Sequence, residues 1–67
     1  MDTTLRQDKS GHDYLKVTEW LRLTVLALPG GRQLRLNTIA EDGVYPGPQF
    51  DVAYVEDLIQ ALRLLSA

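Results

Sequence analysis

The chain has 67 residues, with seven Lys or Arg, nine Asp or Glu, one histidine and no cysteine, giving a formal net charge of −2. One small domain of this size buries only ~60% of the surface its unfolded chain exposes, while the missing cysteines exclude disulfides and thiolate metal sites. A lone His12 leaves too few nitrogen ligands for an ordinary zinc centre, so neither a metal nor another cofactor is expected.

Small folds without such staples usually gain stability by self-association, and a homodimer is therefore the expected state. The acidic balance argues against a generic basic nucleic-acid binder. It leaves a locally basic face open, because distribution matters more than the total.

Residues 1–12, "MDTTLRQDKSGH", are polar and aperiodic, and read as a flexible tail; residues 13–67 form the single domain. The opening segment has no apolar core of the kind a secretory leader needs. No apolar run reaches the ~20 residues that cross a bilayer. With no cysteine to oxidise, a cytoplasmic location is expected.

From Tyr14 to Leu28 the chain alternates, as one long strand or as two broken near Glu19 to Leu21. Leu15, Val17, Leu21, Leu23, Val25 and Ala27 line one face, with Glu19 the polar intruder that a bend or bulge would release. "LPGGRQ" then favours a tight reversal, since Pro29 fixes φ and the two glycines permit positive φ. In "QLRLNTIA", Leu34, Leu36 and Thr38 face one way and Arg35, Asn37 and Ile39 the other. "EDGVYPGPQ" reads as a loop, and "FDV" as a short third or fourth strand.

The remainder, Val52 to Leu65, has helical spacing, with Asp51 a candidate N-cap. Glu56 and Asp57 lie early and Arg63 late, which suits the macrodipole. Val55, Leu58, Ile59, Leu62 and Leu65, widened by Tyr54, Ala61 and Leu64, form an apolar face broad enough to cover a sheet and to meet a second copy. An exposed Leu64 at a frayed end is the plain alternative. The expected fold is α+β: a curved antiparallel sheet of three to four strands followed by one C-terminal helix, dimerising through the helix.

Nothing in this pattern supplies an enzyme's parts. Ser10 and Ser66 lie near the ends, His12 beside Asp13 falls in the tail, and Glu41 and Asp42 share a turn. Neither glycine-rich stretch has Walker or dinucleotide spacing. No catalytic residue and no enzyme activity are expected.

The second face of the strands is more informative. Tyr14, Lys16, Thr18, Trp20, Arg22 and Thr24 alternate along it, and the hairpin partner adds Arg35 and Asn37, with Arg32 at the turn. The only tryptophan is thus interleaved with cations, the composition with which proteins hold single-stranded nucleic acid: bases stack at ~1–3 kcal/mol each while cations follow phosphates. An ordinary solvated sheet face, favoured by strand propensity, is the competing reading. For Trp20 the alternative is a place in an interface.

The order of "LKVTEWLRLTV", "GGRQLRLNTI", "EDG", "YPGPQFDV" and "YVEDLIQALRLL" resembles the single-stranded-DNA-binding domain of the transcriptional positive cofactor four family, over about Leu15 to Leu65. That domain runs through a curved four-stranded antiparallel sheet into one C-terminal helix, and two copies pair through their helices. The resemblance implicates Lys16, Trp20, Arg22 and Arg35 on the strands, Arg32 at the hairpin, and Tyr45 as a second stacking surface. It implies a dimer interface of Val55, Leu58, Ile59, Leu62 and Leu65. Where relatives carry Lys or Arg around the Pro-Gly turn, "VYPGPQ" has none.

The function expected is therefore a non-enzymatic module for single-stranded DNA or RNA, acting as a coactivator-like transcription regulator or accessory factor. The alternative is a protein-interaction adaptor or inhibitor on the same scaffold, which the net charge and the uncharged Pro-Gly segment favour.

Overall fold

A computed structural model describes residues 3–67. Part of the expected tail is ordered in it: Arg6–Gln7 form a short strand, β1, antiparallel to β2 (Asp13–Thr18). Asp8 shapes the turn between them, its Oδ1 accepting the backbone N–H groups of Ser10 and His12 at 2.9 Å each. Gly11 completes that turn at φ 84°, where other residues are strained. Side-chain-to-backbone bonding of this kind has no hydrophobic period, so alternation could not show it. Met1 and Asp2, the start of the expected tail, lie outside the described residues.

The rest of the sheet is a meander. β3 (Leu21–Leu28), β4 (Gly31–Ala40) and β5 (Gly43–Asp51) follow, in the spatial order β1-β2-β3-β4-β5. Thr18 opposes Leu21, Leu28 opposes Gly31 and Ala40 opposes Gly43, so Glu19–Trp20, Pro29–Gly30 and Glu41–Asp42 are two-residue turns. Glu19 reaches solvent from its turn. A register shift between Lys16 and Thr18 places the irregularity of this hairpin just before it.

Five strands replace the expected three to four, partly through β1 and partly through β5, which occupies the segment read as a loop. Pro46 and Pro48 are tolerated because β5 is an edge strand, where a missing N–H removes fewer ladder bonds. A bulge between the Arg35–Gln49 and Asn37–Pro46 pairs absorbs one extra residue. Gly47 sits within it: an added Cβ would collide with the Leu36 carbonyl oxygen.

Asp51 caps the following segment as expected, accepting the Ala53 N–H at 2.8 Å. A single 3-10 turn (Val52–Tyr54) leads into α1 (Val55–Ser66), with Glu56 and Asp57 in its first turn and Arg63 in its last.

Directly opposed residues share a face of a sheet, so the register divides the molecule into two sides. On the apolar side, Leu21, Leu23, Leu34, Leu36 and Phe50 confront Val55, Leu58, Ile59 and Leu62 of α1. The helix does not seal this side. A cleft of about 490 Å³ runs between the layers, and Leu58 and Leu62 stay 43% and 59% exposed. Among the described residues, the most buried lie on the other side: Thr24, Leu26 and Asn37. No helix lies there, so the curl of the sheet itself covers them.

Candidate functional site

The polar side is built in cross-strand rows. Lys16, Arg22, Asn37 and Pro46 form one, and Tyr14, Thr24, Arg35 and Gln49 the next, followed by Leu26, Gln33 and Asp51. At the other end the Ile39 N–H donates to the Trp20 carbonyl at 2.8 Å. This continues the β3–β4 ladder by one residue and sets Trp20 beside the Ile39–Val44 pair. Trp20 is 54% exposed and takes no part in the cleft beneath α1.

Side-chain contacts fix this surface. Thr24 Oγ1 donates to Asn37 Oδ1 at 2.7 Å inside the curl, satisfying both buried groups. The Arg35 Nη2 donates to Gln49 Oε1 at 2.8 Å, and the Gln49 amide in turn donates to Gln33. The Arg22 guanidinium lies over the Tyr14 ring, 4.1 Å from its centroid. Among the described residues its buried Nε has no hydrogen-bond partner. The carboxylate in these rows, Asp51, is committed to its cap. Lys16, Arg22 and Arg35 are thus the three cations of these rows, with Asp51 the one carboxylate among them, two rows from Lys16 and Arg22.

Four of the six residues assigned to nucleic-acid contact are brought together here: Lys16, Trp20, Arg22 and Arg35. Two are not. Arg32 opposes Ala27 and shares the side of Leu34 and Leu36. Tyr45 opposes Thr38 on that same apolar side, where its hydroxyl donates to Asp42 Oδ2 at 2.6 Å. The Asp42 carboxylate holds that phenol above its ordinary pKa. The β5 bulge is the cause: in the register set by Arg35–Gln49, Tyr45 would oppose Ile39 on the polar side instead. Tyr14, not among the six, joins them: it stands one row from Arg22 on the same side, as the alternation signals.

Of the expected dimer contacts, Val55, Leu58, Ile59 and Leu62 line the cleft, whereas Leu65 is 87% exposed beyond it. Among the described residues no helix is long and apolar enough to cross a membrane.

No protein-family model, curated protein or solved structure gives a significant match to this chain.

Proposed function

We propose that the chain is a non-enzymatic module that binds single-stranded nucleic acid on the polar side of its sheet and works as a homodimer joined across the apolar side. In this reading it serves as a transcription regulator or accessory factor of the positive cofactor four kind. The order β2 to β5 followed by α1 accords with that family's layout.

The observation that carries the reading is the juxtaposition of Lys16, Arg22 and Arg35 in adjacent rows between Tyr14 and an exposed Trp20. Cations at strand spacing neutralise successive phosphates, and the rings offer π-faces that any base can use. The pairing has separate support. A 67-residue chain whose apolar side stays open gains most by burying it against a copy. Two grooves on one dimer then raise avidity without more charge per subunit.

The test is a titration with an unstructured oligonucleotide at two salt concentrations, monitored by Trp20 fluorescence, on protein whose mass in solution has been measured. Quenching that weakens with salt is expected. An unchanged emission at low salt would overturn the reading.

The adaptor or inhibitor reading draws on one specific observation, that Arg32, Tyr45 and the exposed leucines of α1 share the open side. Under that reading the chain stays monomeric alone, and Leu62→Ala disrupts a protein complex that nuclease leaves intact.

A further inference from the structure

A second feature of the polar side is a hollow of about 600 Å³, floored by Tyr14 and Arg22. Gln7 at the end of β1 and Asp8 to Ser10 of the β1–β2 turn form one wall, and Gly43 and Val44 at the start of β5 form the other. Its volume lies within the range of small-molecule sites.

We propose that this hollow is a site for a nucleoside monophosphate group, met either as a free nucleotide or as the 5′-phosphorylated end of a strand. Two properties of Arg22 select that ligand. Its guanidinium occupies one face of the Tyr14 ring, and its Nε is buried without an acceptor among the described residues. A planar base competes for the ring face, and a phosphate oxygen supplies the acceptor that Nε lacks. A ligand carrying both groups releases the guanidinium from the ring and gives it a partner; a simple anion or a simple aromatic does only one of these.

The walls agree with this assignment. Lys9 is exposed at the rim and adds a second cation. Asp8 is the one anion of the lining; its Oδ1 is turned to two backbone N–H groups and its Oδ2 lies 3.4 Å from His12 Nδ1, so Lys9 and Arg22 must outweigh it for a phosphate to enter. Gly43 brings no side chain into the opening.

The proposal takes its ligand class from the single-strand reading above, and the experiment separates the two. The full chain is titrated with thymidine 5′-monophosphate, with a 5′-phosphorylated oligothymidylate, and with the same oligomer ending in a 5′-hydroxyl. NMR follows the Tyr14 ring, the Arg22 Nε–H and the Ser10 and Gly43 amides. The phosphorylated oligomer is expected to bind about tenfold more tightly than its hydroxyl counterpart, the weight of one added charge-assisted contact. Lys9→Gln reduces that difference and leaves the hydroxyl oligomer unaffected.

If both oligomers bind equally and move Trp20 but not Tyr14 or Ser10, the hollow is not the site, while the single-strand reading stands. If the monophosphate moves Tyr14 and Arg22 and neither oligomer binds, the hollow is a free-nucleotide site and the single-strand reading falls. Silence from all three ligands overturns both.

Discussion

The guanidinium of Arg22 rests 4.1 Å from the centroid of the Tyr14 ring, diagonally across the β2–β3 pair. Such a contact is worth about 0.5–1 kcal/mol at a half-exposed site. Its larger effect is to hold a charge in place beside Lys16 and Arg35. Arg22→Ala combined with Arg35→Ala is expected to weaken oligonucleotide binding and to flatten its salt dependence. The slope of log K against log salt falls by about 1.4 if each arginine serves one phosphate, at ~0.7 per contact on a single strand. Fluorescence titrations across a salt series measure it, and an unaltered slope would remove both arginines from the interface.

Thr24 and Asn37 make the buried hydrogen bond of the curl. Thr24→Val leaves the Asn37 carbonyl without that donor and is expected to cost about 1–3 kcal/mol. Adding Asn37→Leu removes the stranded group as well, so the pair costs less than the sum of its single changes. Urea unfolding of the three variants checks this.

Gly47→Ala drives a methyl group into the Leu36 carbonyl oxygen, a backbone atom that cannot swing aside. A loss of about 1–3 kcal/mol is expected, as for other overpacked sites. Amide exchange in β5 should accelerate before that in β3. Uniform protection in the variant would mean that the bulge has room to adjust.

Leu62 lines the cleft and remains 59% exposed. Leu62→Glu places a charge on the surface proposed to meet a second copy, and sedimentation equilibrium is expected to show the dimer reduced to monomer. A variant that sediments like the wild type would move the interface elsewhere.

The Asp8 carboxyl is held below its ordinary pKa, chiefly by the His12 backbone N–H and further by that of Ser10. A depressed value means that the hairpin gains from the ionised form above the ordinary aspartate range. That gain disappears as pH falls through the lower, folded value. The Ser10 amide signal should thus show an Asp8 transition with a midpoint below that of a free aspartate. Asp8→Ala should abolish the transition and loosen β1.

The helix, the Pro29–Gly30 hairpin and the capping role of Asp51 were legible because each has a local signal: a 3.6-residue period, a residue that fixes φ, a capping side chain. That Asp51 caps a 3-10 turn and the helix starts only at Val55 had no such signal. The shared face of Lys16, Arg22 and Arg35 followed from alternation alone. β5 was not legible, since Pro46, Gly47 and Pro48 suit a strand only at a sheet edge, and which strand is the edge depends on topology. Tyr45, expected in a loop as a second stacking surface, lies on the apolar side for a related reason: one extra residue in β5 turns it over, and nothing local in "VYPGPQ" marks the pairing partner. Arg32, two residues before Leu34, was already on the apolar parity, but its turn position obscured this. The burial of Thr24, Leu26 and Asn37 reflects a curvature that no pattern of polar and apolar residues encodes.

Pro46 and Pro48 have no amide hydrogen to offer a neighbouring chain, and β5 is a boundary strand of the sheet. The opposite boundary, β1, is two residues long. Neither margin is a good template for strand addition, so end-to-end polymerisation into fibrils is disfavoured.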